Sequence, residues 1–165
     1  MNTKVVSYVR GLIMDWIHLH LALNHVPVLG SLFVSLLLLT AVLKKDDGLK
    51  RLSLWWTVAL MLISIPLKFT GDKAAETAEN EPWMISTYVQ AHEQAADQAT
   101  TGIFLMGIAA AMALVIARKA RPVITWTMLL TLGLGLLTFA LMARAANLGG
   151  QIRHTEIRPE LIVEP

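Results

Sequence analysis

The chain contains no cysteine. Disulfides, thiolate metal sites, iron–sulfur ligation and covalent c-type haem attachment are therefore excluded within it. Charge is scarce as well. Only 16% of the 165 residues are Asp, Glu, Lys or Arg, and their balance is +2. These charges are segregated by loop, and no Lys/Arg stripe marks a nucleic-acid surface. No stretch alternates with period two in the manner of a membrane β-barrel. P-loop, GxGxxG, HExxH and Ser/His/Asp arrangements are all missing, so nothing indicates an autonomous enzyme. Lys4 and Arg10 could open a signal peptide, but Asp15 and three histidines interrupt the stretch after them, and the first apolar run is expected to be retained.

Apolar residues make up 55% of the chain, and its mean hydropathy is +0.57. A single soluble core would not need four separate runs of near-bilayer length, and a spanning helix needs ~20 apolar residues. The runs cover residues 21–43, 52–69, 101–117 and 123–143. Helices satisfy their own backbone hydrogen bonds in lipid. The expected fold is therefore all-α: a four-transmembrane-helix up-down bundle, with extramembrane extensions of helices one and three and a polar C-terminal tail over 149–165.

Local signals fill in the connections. Residues 3–20 read as an amphipathic helix with Val5, Val9, Leu12, Ile13, Trp16 and Ile17 on one stripe. Pro27 is expected to kink the first span. Residues 44–51 form a tight turn, followed by an interfacial Trp55-Trp56 pair. Residues 70–82 read as a solvent-side loop, and Pro82 to Ala120 as one long helix opened near Asn80 or Glu81. Gly149-Gly150 reads as a helix breaker. The two tight turns concentrate Lys44, Lys45, Lys50, Arg51, Arg118, Lys119 and Arg121. Short-loop positive charge stays cytoplasmic, so both termini and the 70–100 segment are expected on the outer, periplasmic side of a bacterial inner membrane.

The five histidines all map to that outer side. His18, His20 and His25 lie at the outer end of span one, His92 on the extension of span three, and His154 after span four. His18 and His25 are seven residues apart and share a helical face, with His20 nearly opposite. Helices one and three of an up-down bundle face each other across its diagonal. Two imidazoles from facing helices hold a non-covalent haem. The expected axial ligands are His25 and His92, with His154 or His18 as substitutes. Counting inward from the turns places His92 about six residues, or ~9 Å, further out than His25. Lys68, Arg144 and Arg153 fall near the same level and could meet propionates. A competing metal site for copper or zinc would draw on Asp15 with His18, or on His92, Glu93 and Asp97, with Met14, Met84, Met106 and Met142 as soft donors. A third reading makes the histidines interfacial residues of a structural or assembly subunit whose tail docks a partner.

The segments His20-Leu21-Ala22-Leu23-Asn24-His25-Val26-Pro27 and Ala91-His92-Glu93-Gln94, with Leu148-Gly149-Gly150-Gln151-Ile152 closing span four, resemble an uncharacterised bacterial four-helix inner-membrane family. Its members carry a His-x-Pro element in the first span and a His opening the third. Some stand beside or fused to Rieske or cytochrome modules, which implies a redox role. Arg153-His154 departs from the apolar or aromatic residue with which that family often ends. Together these readings give a haem b electron-transfer protein, or a subunit of a respiratory or redox complex. Its partners would be the lipid bilayer, other membrane redox subunits, and a periplasmic cytochrome or quinol.

Overall fold

The computed structural model describes residues 15–118 and 122–158. Most of the amphipathic stripe expected over 3–20 lies outside them. Among the described residues there are five α-helices: α1 (Trp16–Leu23), α2 (His25–Lys44), α3 (Asp47–Ala78), α4 (Ser86–Ile116) and α5 (Thr125–Arg153). A single 3-10 turn, Thr155–Ile157, comes after them. Because α1 and α2 continue one another, four helical rods result, each long and apolar enough to cross a membrane. The fold is an all-α four-helix bundle, and the four apolar runs of the sequence fall within its rods. The second rod packs on the first and third, and the fourth does the same, so rods one and three occupy opposite corners.

The packing is inverted relative to a water-soluble bundle. Ser31, Ser35, Ser53, Thr57, Thr131 and Thr138 are buried, whereas Leu29, Leu43, Phe33, Trp55 and Trp126 are exposed. Lipid supplies no hydrophobic drive between helices, so small side chains that allow close approach are selected for the interior. Glycines complete that interior. A Cβ on Gly102 would sit 2.8 Å from Thr138 Oγ1, and one on Gly135 would sit 2.7 Å from Ser35 Oγ. Apart from Thr138, these buried hydroxyls donate to carbonyls of their own helix, as Ser35 does to Ser31 at 2.7 Å and Thr57 to Ser53 at 2.8 Å. Such hydroxyls present no unsatisfied donor to hydrocarbon.

The two short turns are clamped together at one end. Lys45 takes the left-handed conformation (φ 53°) that ends α2, and the Asp46 carboxylate caps α3 by accepting from Leu49 N at 2.6 Å. One Asp47 oxygen accepts from Lys50 Nζ and the other from Val123 N, both at 3.0 Å. Arg51 Nη2 donates to Ala117 O at 2.8 Å, satisfying an orphan carbonyl at the end of α4.

The first rod breaks at Asn24, between Leu23 and His25. Leu23 is four residues before Pro27, so its carbonyl is the one the pyrrolidine ring would strike. The connections depart from the sequence reading in three places. The segment 70–78, expected as a loop, is helical. Its Ala, Glu and Lys residues favour helix, Lys73 pairs with Glu76 at 2.7 Å, and Thr70 and Ala78 are buried. Polar composition there marks exposure to water and not loss of helix. The third rod begins at Ser86 instead of Asn80 or Glu81, because residues 81–85 form turns in which Glu81 N donates to Ala78 O and Met84 N to Glu81 O. Finally, Gly149 and Gly150 do not break α5, which runs on to Arg153.

Candidate functional site

Gly149 stands within a helix because a ring lies on it. His92, on α4, packs its imidazole against α5 so closely that a Cβ at Gly149 would lie 3.0 Å from Cε1 and 3.1 Å from Nδ1. The His92 Nδ1 stands 2.9 Å from Ala145 O. A carbonyl only accepts, so Nδ1 carries the proton, and in the tautomer this selects Nε2 holds the lone pair. Beneath the ring lies a cluster of small and flexible side chains, Ala95, Ala99, Ile103, Met142 and Ala145.

His20 repeats the construction on the opposite corner. Its ring lies against α3 where Gly71 leaves room. A Cβ there would sit 3.1 Å from Cε1 and 3.4 Å from Nδ1. The His20 Nδ1 is 3.4 Å from Thr70 Oγ1. The Thr70 hydroxyl spends its own proton on Leu67 O at 2.9 Å. It offers His20 a lone pair, which makes Nδ1 the donor and again leaves Nε2 unprotonated. Among the described residues no hydrogen bond to Nε2 of His92 is present, while the Leu67 carbonyl also acts on the His20 ring.

The two rings occupy one level. Lys68 of α3 and Asp97 of α4 meet at 3.0 Å and fix the register of these antiparallel helices. Moving outward, Gly71 is three residues beyond Lys68 and His92 five beyond Asp97. At 1.5 Å per residue the levels differ by about 3 Å. His20 and His92 are also near enough for their charges to act on each other. Both are half-buried, and both stand on the rods that share the bundle diagonal.

The other histidines are placed differently. His25 is exposed, and its Nδ1 takes up Leu21 O at 2.9 Å, so the ring caps the carbonyl end of α1 beside the break. His18 lies on the same face of the rod as His25, away from His20. His154 is exposed and lies 2.9 Å from Glu156 Oε1. A hydrogen bond from its own backbone N–H and then the His154 ring hold the Glu156 carboxyl below its usual range. His92 thus stands across from His20, and His25, His18 and His154 are not brought to it. The basic residues proposed for propionates have partners. Lys68 is held by Asp97 and Asp72, Arg144 donates to Gln98 at 2.9 Å, and the Arg153 guanidinium lies 4.5 Å over the Trp83 ring. Among the described residues no group of three or more His, Cys, Asp or Glu side chains converges as a metal would require.

His18 and His25 fall on one side of the rod and His20 on the other, and the side that packs on α3 is that of His20. Apolar neighbours surround both faces, so periodicity alone could not orient the rod. The usable signal was a pair of glycines, Gly71 and Gly149, on the two neighbouring rods at the level of the histidines. No family model matches the chain, and no curated protein or solved structure matches it.

Proposed function

We propose that this chain is a membrane-embedded haem b protein whose axial ligands are Nε2 of His20 and Nε2 of His92. It would act as an electron carrier, or as the electron-transfer subunit of a larger redox assembly. The single observation that carries this reading is the repeated construction on opposite corners. Each ring has its Nδ1 beside an oxygen acceptor and lies against a glycine of a neighbouring helix, at a common level. A hydrogen bond at Nδ1 fixes the tautomer and ring plane of an imidazole ligand and raises its basicity. A bound haem supplies one-electron chemistry at its iron. The chain's own contribution is to hold two rings in place, with Ala145 O and Thr70 Oγ1 polarising them and Gly71 and Gly149 letting them recede against the helices.

The bacterial inner membrane, with both termini outermost, fits the crowding of basic residues in the two tight turns. On that orientation the pair of rings lies toward the periplasmic face, within reach of a soluble cytochrome or a quinol. A copper or zinc site has less support, since two imidazoles without a converging carboxylate are a sparse set for either ion. A structural or assembly role is the remaining reading, favoured by the contacts through which both rings already stabilise helix packing.

The test is a reduced-minus-oxidised spectrum of detergent-purified protein, as isolated and after addition of haem b. A narrow α-band is expected, lost in His20→Ala and in His92→Ala and retained in His25→Ala, His18→Ala and His154→Ala. Protein that stays colourless and takes up no haem would leave the structural role in possession.

A further inference from the structure

At the opposite end of the molecule from the histidines, two shallow depressions of about 310 Å³ each lie along the outward seam of α3 and α4. They share Ala111 and Val115, so they form one groove. Its lining is almost wholly apolar, with Ala111 as a low point of the floor. The inner end is closed by Met61, which can lie across the seam because Gly107 has no side chain to oppose it. The outer end is bounded by Trp55 and Arg118.

Length and chemistry together identify an occupant. From Ile108 to Arg118 the groove extends along ten residues of α4 and its end, or ~15 Å at 1.5 Å per residue. That is about half of the ~30 Å hydrocarbon layer, the depth of one leaflet. A partner helix would require a seam running the full thickness. The polar end carries an exposed guanidinium for which no hydrogen bond or ion pair is present among the described residues, next to an exposed indole of the interfacial type. A planar guanidinium matches phosphate oxygens through paired N–H donors. Basic positions between spanning helices are where anionic headgroups are held.

We infer that this groove is a binding site for one anionic phospholipid of the leaflet on the side of the tight turns. An acyl chain lies over Ala111 as far as Met61, and the headgroup phosphate meets Arg118. The site is independent of the histidine pair and stands or falls without it. Its role is to tie α3 to α4 on the surface where Ala111 leaves their seam shallow.

The experiment is native mass spectrometry of the full chain released from detergent, with added phosphatidylglycerol or phosphatidylcholine. One phosphatidylglycerol per chain is expected to survive activation that strips phosphatidylcholine. Arg118→Gln should lower its retention about fivefold, to the level of the zwitterionic lipid. Ala111→Phe should displace both lipids by filling the floor. Lys45→Gln, a basic change outside the groove, should have no effect. Equal retention of the two lipids, unchanged retention in Arg118→Gln or in Ala111→Phe, or a dimer that Ala111→Phe dissociates would each overturn the assignment.

Discussion

Gly149→Ala separates packing energetics from ligand placement. In a helix interior, replacing Gly by Ala gains about 0.5–1 kcal/mol through lower chain entropy in the unfolded state. At Gly149 the new Cβ would meet His92 Cε1 at 3.0 Å, whereas ordinary contact begins at 3.4 Å. The ring must therefore withdraw by about 0.4 Å, against a 2.9 Å tether to Ala145 O. Weakening that hydrogen bond costs roughly 0.5–1.5 kcal/mol. The two effects are of similar size and opposite sign, so stability should stay within about 1 kcal/mol of the parent. Ligation does not cancel in this way. Binding groups must hold position to ~0.5 Å, so a shift of about 0.4 Å takes up most of that tolerance, and complete loss of the support behind a metal ligand costs about 10–100-fold in affinity. Gly149→Ala should thus lower haem affinity by up to about tenfold at nearly unchanged stability. Gly133 is the internal control, since nothing lies within 4 Å of a Cβ built there. Gly133→Ala should gain about 0.5–1 kcal/mol and leave affinity alone. Thermal unfolding and haem titration on both variants decide the matter. If Gly149→Ala tracks Gly133→Ala in both readouts, the ring-against-glycine argument is wrong.

Gly71→Ala should weaken haem binding in the same sense, because its Cβ would lie 3.1 Å from His20 Cε1; a titration curve matching the parent would contradict this. Thr70→Val removes the acceptor that fixes the His20 tautomer, and is expected to shift the haem reduction potential while Thr70→Ser preserves it, as read by redox titration. Gly102→Ala should destabilise the bundle by about 1–3 kcal/mol through overpacking against Thr138. Since Thr138 Oγ1 is buried without a partner, Thr138→Ala should relieve the clash, and a double-mutant cycle on unfolding in detergent measures the coupling. Asp47→Asn loses a charged partner of Lys50 and Val123 N at once, and should lower the unfolding temperature without altering the haem spectrum.

How far the sequence carried depends on the physics each signal encodes. Length of apolar run is a direct measure of membrane crossing, so the four rods were legible. Helix ends were less so. Residues 70–78 looked like loop because hydropathy reports solvent contact, while their Ala, Glu and Lys content reports helix, and the two readings diverge outside lipid. Gly149-Gly150 looked like a terminus because glycine is an intrinsic helix breaker; a ring packed on its bare backbone is a tertiary fact with no local trace. The same limit applies to His20. Its phase relative to His18 and His25 was readable, but which face turned inward depended on Thr70 and Gly71 of another rod. Depth counting was closer: it set His92 about six residues beyond His25, and His20, further out than His25 along the first rod, is the ring at the level of His92.

On the proposed function, His20 and His92, and not His25, would supply the two nitrogens that hold the haem iron. Electron paramagnetic resonance of the ferric protein tests it most directly. Wild type and His25→Ala should both give a low-spin bis-imidazole signal, and His20→Ala should give a high-spin signal with one axial ligand lost. A low-spin signal that survives in His20→Ala and disappears in His25→Ala would contradict the account.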